Sequence, residues 1–549
     1  IMLPPSVPHL NSPKPITPAI QKFLFNTSPL FRWTPVLCFH RRNPYIIDKP
    51  RIPKTPNLTN PIVITPDHVP SRNSDSKPRI IKEKSFPNDS SGQMLALCGF
   101  GYWVQGFRCF PWLALNFHMA HNLSMHPSIL QVVQSSANLP MVAKPLLGIL
   151  SDAFYICGAH RIPYISIGVF LQVLSWGLLA LVPVAGEALP ALMTCIFLGN
   201  FGAAITEVAK DALTAEYGQG HNITGLQSYA FMALAAGGIL GNLSGGISLL
   251  RTGSRTMFLT FTGLLCAQLV ISLAAREDSL GLLNQKFVKK PVMESIGQQF
   301  SNLLMAVRAK GIYHPLIWIV TSIAMVPILS GSIFCYQTQC LNLDPSIIGL
   351  SRVVGQLMLL SAAILYDRFW KRIPMRQLIR TVQILYALSL LLDFVLVKQL
   401  NLKVGIPNEV FALCFSGIAE AIAQFKLLPF SVLLAGLSPL GCEGSLTSFF
   451  ASALCLSSIV SGFWGVGLAN LIGITSADYS RLPLGIMLQV VVALVPLAWI
   501  SHVPMSQSFV EKERKRARSR RTRKTRRVGR VVVFDPVYCY GMTHGNGMT

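Results

Sequence analysis

Charged side chains are scarce in this sequence. Asp, Glu, Lys and Arg together make up 13% of the 549 residues, whereas 51% of the residues are hydrophobic. Soluble domains carry about 25% charged residues, so the composition excludes an ordinary soluble protein. Acidic residues are the scarcer kind, because 23 of them face 47 basic residues and leave a formal net charge of +24. The sequence therefore predicts a membrane protein with an excess of basic residues.

Motifs for enzymatic chemistry are also missing. The twelve cysteines are scattered without a CxxC pair, so neither a disulfide framework nor a zinc site is supported. His118, His121 and His126 lie close together, but no carboxylate or cysteine joins them, which favours histidines at a membrane boundary over metal ligands. The sequence shows no nucleophile with a base and no phosphate loop. We therefore expect neither an enzyme nor a bound cofactor.

Long hydrophobic runs dominate what is present. Windows of about 20 mostly apolar residues have the length that crosses a bilayer core of about 30 Å, and the sequence predicts twelve of them. We number them spans 1 to 12, with predicted bounds 94–121, 129–151, 162–184, 189–212, 224–250, 255–275, 314–338, 346–366, 374–398, 406–434, 444–473 and 482–503. The predicted class is an all-α membrane protein.

An internal repeat divides the spans into two halves. Asp152 ends span 2 and is followed by Arg161-Ile-Pro, while Asp367 ends span 8 and is followed by Arg372-Ile-Pro. Repetition in one orientation is typical of a transporter with two parallel six-helix halves. Each aspartate is interpreted as part of a gate, with an ordinary position at a helix end as the alternative. The predicted gating residues are Lys144, Gly148, Asp152, Arg161, Asp367, Arg368 and Arg372.

The basic excess is concentrated outside the spans. Residues 1–90 hold thirteen Lys/Arg, five acids and seventeen of the 36 prolines, which predicts a disordered extension. This start fits an organelle transit peptide, with an untargeted cytosolic tail as the alternative. The Arg-rich tail 506–549 is expected to contact anionic lipid rather than nucleic acid. Between them we predict a first six-helix half (91–275), a basic central loop (276–313) and a second six-helix half (314–505).

Charged residues inside span 4 are candidates for function. Glu207, Lys210 and Asp211 lie three or four residues apart, so they share one helical face. Burying each costs about 2.5–3.5 kcal/mol on insertion scales, so such residues usually face a cavity and pair with one another. Either Lys210 neutralises a structural acid, or the group handles a substrate or a proton.

Span 1 contributes a second polar face, with Tyr102, Gln105 and Arg108 at three-residue spacing. A lone arginine within a span suggests an anionic ligand, because its planar fork matches a carboxylate. A structural partner such as Glu207 is the alternative. Span 10 holds the corresponding polar group of the second half. The predicted substrate or proton path is Tyr102, Gln105, Arg108, Glu207, Lys210, Asp211, Glu420, Gln424 and Lys426.

Four stretches carry a resemblance to a known family. They are 101–108 (Gly-Tyr-Trp-Val-Gln-Gly-Phe-Arg), 144–152 (Lys-Pro-Leu-Leu-Gly-Ile-Leu-Ser-Asp), 161–164 (Arg-Ile-Pro-Tyr) and 204–218 (Ala-Ile-Thr-Glu-Val-Ala-Lys-Asp-Ala-Leu-Thr-Ala-Glu-Tyr-Gly). Together they resemble the folate-biopterin transporter family, in its plant plastid branch, over about residues 92–505. The last stretch is the most specific of the four.

The resemblance implies a twelve-helix major facilitator fold that moves folates or pterins across the plastid envelope by alternating access, coupled to protons. It also implies that an aminopyrimidine edge binds Glu207 or Asp211, while a glutamate tail meets Arg108 and Lys210. The expected partners are the small-molecule substrate, protons and the lipid bilayer, with no nucleic acid and a monomeric protein. Two alternatives are a transporter of the same fold for another small organic anion and a non-transporting membrane receptor or scaffold.

Overall fold

The computed structural model of the chain is almost wholly helical where it describes the chain. It describes residues 88–503 except 157–158, 160, 183–187, 221–225, 276–296, 298–299, 302, 306, 309, 371–372, 431–442 and 476–477. The predicted extension up to residue 87, most of the central loop and the tail 506–549 lie outside the described residues. The transit peptide, the domain bounds and the lipid-binding tail therefore stay predictions.

Spans 3 to 6 and 8 to 12 are continuous helices. In the described part of the chain, nine helices are long and apolar enough to cross a membrane. Their bounds are Ile162–Leu181, Leu189–Gly220, Leu226–Arg251, Ser254–Ala274, Pro345–Arg368, Met375–Val397, Asn408–Phe430, Glu443–Ile472 and Leu482–His502. Helices prevail because every backbone polar group in a bilayer core needs a partner within the protein. The predicted all-α membrane class is confirmed, and span 4 is longer than predicted.

Spans 1, 2 and 7 are interrupted, and a proline follows the first piece of each. The pieces are Asn88–Phe107 and Cys109–Phe117 in span 1, Pro127–Ser136 and Lys144–Ala153 in span 2, and Lys310–Ala324 and Ser330–Cys335 in span 7. Pro111, Pro140 and Pro327 lie three or four residues beyond the ends of the first pieces. Proline lacks the N–H for the bond to the residue four positions earlier and its ring clashes with that carbonyl, so the helix breaks. The count of twelve crossings stays a prediction, with these three as interrupted helices.

The two halves meet through spans 5 and 8 and through spans 2 and 11. The first contact depends on glycine, because a Cβ added to Gly349 of span 8 would lie 2.6 Å from Asn242 O of span 5. Small residues at such positions let two helices cross with their backbones in contact. Within the halves, span 3 lies between spans 4 and 6, span 1 packs on span 5, and span 9 packs on span 12.

A buried glutamine joins the halves at the start of span 2. The side chain of Gln131 is 1% exposed. Its amide nitrogen donates to Ile328 O and, at 2.9 Å, to Gly462 O, while its Oε1 accepts from Gly331 N at 3.1 Å. Residues 325–329 form the break in span 7, so the bonds to Ile328 O and Gly331 N satisfy backbone groups that the broken helix leaves free. We call the three hydrogen bonds the Gln131 latch.

Candidate functional site

The proline break in span 1 places Arg108 between two helical pieces, opposite span 4. Arg108 Nη1 donates to Glu207 Oε1 at 3.0 Å, and Nη2 donates to Asn200 Oδ1 at 2.6 Å. Both branches of the guanidinium fork are therefore satisfied by one helix. Sequence analysis left two interpretations of Arg108, an anionic ligand or a structural partner. In this structure Arg108 has a structural partner, which is Glu207.

Glu207 also holds a second cation, Lys144. Lys144 Nζ lies 2.6 Å from Glu207 Oε2, and the Glu207 side chain is 11% exposed. Lys144 is placed there because it begins the second piece of span 2, just after the turn Leu139–Ala143. Sequence analysis placed Lys144 among the predicted gating residues. In the structure Lys144 instead contacts Glu207, which belongs to the predicted substrate path.

Lys210 is the most deeply buried cation of this region, with 1% of its surface exposed. Its Nζ donates to Gly101 O at 2.8 Å and to Gln105 Oε1 at 2.7 Å, and it lies 4.3 Å from the centre of the Tyr102 ring. Gly101 permits this approach, since a Cβ there would lie 3.1 Å from Lys210 Cδ. Span 1 thus surrounds the ammonium group with a carbonyl, an amide and an aromatic face, which stabilise a cation without a direct ion pair.

Asp211 lies at the exposed edge of the same group. Tyr102 Oη donates to Asp211 Oδ1 at 2.5 Å and lies 3.5 Å from Thr214 Oγ1. Tyr102 therefore joins Lys210 and Asp211 of span 4, because its ring faces Lys210 and its hydroxyl donates to Asp211.

These residues form one electrostatic unit, which we call the charged cluster: Arg108, Lys144, Glu207, Lys210 and Asp211. Three cations face two acids, so the cluster carries one formal positive charge in excess. Its parts come from spans 1, 2 and 4, which are far apart in sequence. An excess of positive charge in a low-dielectric setting favours an anionic ligand.

A cavity of about 10 Å³ lies within the cluster, at the lower limit for a single water. Gln172 of span 3 and Gln268 of span 6 line it, and both are buried. Sequence reasoning missed these two residues, although an uncharged polar side chain in an apolar span was an available signal. The charged side chains of the cluster fill the space around this small cavity. An organic ligand larger than water therefore reaches these charges only by displacing the internal pairs.

The predicted residues of span 10 do not gather in the same way. Gln424 Nε2 donates to Glu420 Oε1 at 3.2 Å, and both residues are exposed. Lys426 is 3% exposed, and its Nζ lies 3.3 Å from Ser322 O and 5.3 Å from the centre of the Tyr386 ring. Among the residues that the structure describes, no carboxylate lies within ion-pair distance of Lys426. Span 10 thus separates its lysine from its acid.

The first predicted gating loop is a compact charged contact. Arg161 is 4% exposed and pairs with Asp152 and, at 2.5 Å, with Glu216 Oε1. Its Nη1 also donates to Ser151 Oγ at 2.6 Å. These bonds join the end of span 2, the start of span 3 and the end of span 4. Gly148 lies one turn earlier against Val208, where an added Cβ would lie at a van der Waals distance of 3.5 Å.

The second gating loop is only partly described. Arg368 is exposed at the end of span 8, whereas the side chain of Asp367 and the whole of Arg372 lie outside the described residues. The predicted repeat of the gate therefore stays a prediction.

Comparison with known proteins identifies the family. The sequence pattern that defines the BT1 family matches residues 105–524. A protein of Arabidopsis thaliana named "Probable folate-biopterin transporter 9, chloroplastic" is 59% identical over 465 residues, which cover 84% of this chain and 86% of that protein. Another, named "Probable folate-biopterin transporter 8, chloroplastic", is 61% identical over 436 residues, which cover 79% of this chain and 80% of that protein.

The fold has a counterpart among solved structures. The nucleoside transporter NupG superposes with a TM-score of 0.53 over 75% of this chain and 98% of that protein, at 15% sequence identity. Identity this low shows the fold alone, which is that of the major facilitator transporters, as predicted. The names of the two chloroplastic relatives confirm the predicted location as a multi-pass membrane protein of the plastid. With its family pattern and relatives more than half identical along most of its length, the chain belongs to the BT1 family.

Proposed function

We propose that this protein transports folates or pterins across the plastid envelope by alternating access, and that the charged cluster binds the anionic part of the substrate. The two chloroplastic relatives carry the name of probable folate-biopterin transporters. The observation that carries the site assignment is the double ion pair of Glu207, which holds Arg108 and Lys144 together at 3.0 and 2.6 Å. Two cations that share one carboxylate can exchange it for the carboxylate of a substrate.

The chemistry of folate fits such an exchange. Its glutamate tail has two carboxylates, and the fork of Arg108 matches a carboxylate in a bidentate geometry. Asp211, at the exposed edge of the cluster, can accept two hydrogen bonds from the aminopyrimidine edge of the pterin ring. Because each internal pair is replaced by a pair with the substrate, the buried charges stay compensated during binding.

We further propose that protons are coupled to transport through Glu207. Protonation of this carboxyl removes the negative charge that holds Arg108 and Lys144, which frees both cations for a substrate anion. Release of the proton from Glu207 on the other side of the membrane restores the internal pairs and expels the anion. A proton and an anion would thus move together, as in a symport cycle.

Two contacts at opposite ends of span 2 suit the gates of this cycle. Arg161 ties Asp152 to Glu216 within the first half, so spans 2 and 4 move as a unit at that end. Gln131 ties span 2 to Gly331 and Gly462 of the second half at the other end. In alternating access the Gln131 latch has to open before substrate can pass at its end of the protein.

Uptake into liposomes tests the proposal. The full-length protein is reconstituted, and accumulation of labelled folate is followed with and without an inwardly directed proton gradient. We expect uptake above that of empty liposomes, faster with the gradient, and competition by unlabelled folate and biopterin but not by malate. No folate or biopterin uptake under either condition would contradict the proposal, and equal competition by malate would favour a transporter of another organic anion.

Two variants test the assignment of the site. Arg108→Gln and Lys210→Met remove charges of the cluster, and we expect each to lower folate uptake at low substrate by about 10-fold or more. Arg380→Gln is the matched control, because Arg380 is exposed on span 9. Folate uptake at the wild-type level in both cluster variants, at equal protein in the bilayer, would show that the substrate binds elsewhere.

A further inference from the structure

Span 8 holds an arginine that sequence analysis did not single out. Arg352 is half-buried within the apolar helix Pro345–Arg368. Among the described residues, Arg352 makes no hydrogen bond and no ion pair with a carboxylate. A charged residue inside a span is costly unless it is paired, and unpaired ones mark the path of a ligand or an ion. Arg352 thus differs from Arg108, whose fork is fully occupied.

The neighbours of Arg352 show which way this part of span 8 faces. Three residues earlier, Gly349 packs against Asn242 of span 5. Four residues later, the side chain of Gln356 lies against span 5, where a Cβ added to Gly238 would be 3.2 Å from the Gln356 amide nitrogen. Residues three and four apart share a face of a helix. Arg352 therefore lies on the face that span 8 turns toward the first half.

The adjoining face of span 8 meets span 10. Gly355 packs against Gly417, where an added Cβ would lie 2.8 Å from the Gly417 carbonyl oxygen. Glu420 follows Gly417 by one turn of span 10 and is exposed. Arg352 thus stands between the first half on one side and the acid of span 10 on the other.

Arg108 and Arg352 approach the same point from opposite halves. Both arginines lie beside the same turn of span 5: a Cβ added to Gly241 would lie 3.0 Å from the carbonyl oxygen of Phe107, which precedes Arg108, and a Cβ added to Gly349 would lie 2.6 Å from the carbonyl oxygen of Asn242, the residue after Gly241. Each half therefore contributes one arginine to the region where the halves meet, and the one from the second half has its donors available.

We infer that Arg352 is a second carboxylate-binding residue, supplied by the second half, which favours substrates with a carboxylate tail over pterins without one. This inference rests on the proposed function and specifies its substrate. The glutamate tail of folate has two carboxylates, so one can take the place of Glu207 on Arg108 while the other binds Arg352. Biopterin has a hydroxylated side chain and no carboxylate, so it gains nothing from Arg352. A tail that bridges the two arginines also draws the halves together, as closure around a substrate requires.

Paired uptake measurements with two substrates test the inference. The full-length wild type and Arg352→Gln are reconstituted in liposomes, and uptake of labelled folate and labelled biopterin is measured on the same preparations. We expect the KM for folate to rise about 10-fold or more, since a hydrogen bond between charged groups is lost. Uptake of biopterin should stay within about twofold of wild type. Arg352→Lys should recover part of the folate uptake, because it keeps the charge but not the fork.

Controls separate a binding role from a structural one. Arg380→Gln removes an exposed arginine of span 9 in the same half and should leave both substrates unaffected. Equal losses of folate and biopterin uptake in Arg352→Gln would reveal a structural role and overturn the inference, as would unchanged folate uptake. A wild type that moves neither compound would overturn the proposed function and the inference together. Equal losses of both substrates, or unchanged folate uptake, are judged by comparing Arg352→Gln with an active wild type. Either result would therefore leave the proposed function intact.

Discussion

The two halves repeat a fold but treat their buried charges differently. In the first half, Arg108 and Lys144 both lie within 3.0 Å of Glu207. In the second half, Lys426 lies against a backbone carbonyl and aromatic rings, and Arg352 has no partner among the described residues. A paired cluster is stable without ligand, whereas an unpaired cation in a span gains most from one. Among the described residues the repeated fold therefore does not carry a repeated arrangement of charges, and we propose that specificity resides in what the halves do not share.

Removing Glu207, the central acid of the first half, should have the largest effect on transport. Glu207→Gln holds this side chain in a neutral form, so the pairs with Arg108 and Lys144 that expel the anion cannot re-form, and loss of one member of a buried ion pair costs about 3–5 kcal/mol. We expect folate uptake at low substrate to fall by about 100-fold or more. The measurement is uptake into liposomes at equal reconstituted protein. Glu409→Gln, at an exposed position in the short helix Asn408–Phe411, is the control; if Glu207→Gln behaved like this control, the cluster would have no part in transport.

The gating contact should affect the rate of transport more than the binding of substrate. Asp152→Asn removes one of two acids from Arg161 and leaves Glu216 in place. We expect the maximal rate of folate uptake to fall about 10-fold, with folate affinity unchanged, since a charged hydrogen bond is worth about 1.5–3 kcal/mol. Initial rates over a range of folate concentrations separate the two quantities.

The second half provides the test of symmetry for the gate. If the loop after span 8 repeats the contact, Asp367→Asn should lower the maximal rate to a similar degree. Asp344→Asn is the control, because Asp344 is an exposed aspartate at the opposite end of span 8. A wild-type rate in Asp367→Asn beside a slow Asp152→Asn would confine the gate to the first half.

The Gln131 latch should bias the protein between its two conformations. Gln131→Leu removes hydrogen bonds to Gly331 N and Gly462 O, at about 1–3 kcal/mol for buried groups left unsatisfied. A cysteine introduced at Ser128, which is buried beside Asn470 of span 11, should then react up to about 10-fold faster with a water-soluble thiol reagent. Gln134→Leu is the matched control, because Gln134 bonds Asn116 within the first half. Equal reactivity in the two variants would mean that Gln131 does not hold the halves together.

The smallest effect is expected at the isolated lysine of span 10. A buried charge without an ion-pair partner is costly, and its removal offsets the loss of the 3.3 Å hydrogen bond to Ser322 O, so Lys426→Met should change the free energy of unfolding by less than about 1 kcal/mol. Lys210→Met should destabilise the protein by about 1–3 kcal/mol, because Gly101 O and Gln105 Oε1 lose their donor. Thermal unfolding of the purified variants in one detergent compares them. A larger loss in Lys426→Met would reverse the contrast between the halves.

The spans were predictable because the bilayer leaves few solutions. Runs of apolar residues located every continuous helix to within a few residues, except that span 4 extends to Gly220. The breaks in spans 1, 2 and 7 were not predicted, although Pro111, Pro140 and Pro327 were visible in the sequence. A proline inside an apolar run was thus an available signal for a break within a span.

Parts of the site were harder to find from sequence. Helical spacing placed Glu207 and Lys210 on one face, because both belong to the same helix. Glu207 was named as a partner for Arg108, because a charge inside a span needs an opposite charge. Lys144 joins Glu207 across 63 positions of the chain, and only tertiary packing reveals such a contact. Arg352 could have been recognised by the argument used for Arg108, since it is also a lone arginine in an apolar run.

Equilibrium binding of labelled folate to the purified protein tests most directly whether the charged cluster binds the substrate, because binding is measured apart from gating. The wild type, Arg108→Gln and the exposed control Arg380→Gln are compared in the same detergent. Loss of the Arg108 fork should weaken folate binding about 10-fold or more, while the control binds as the wild type does. Equal folate affinity in Arg108→Gln and the wild type would contradict the account.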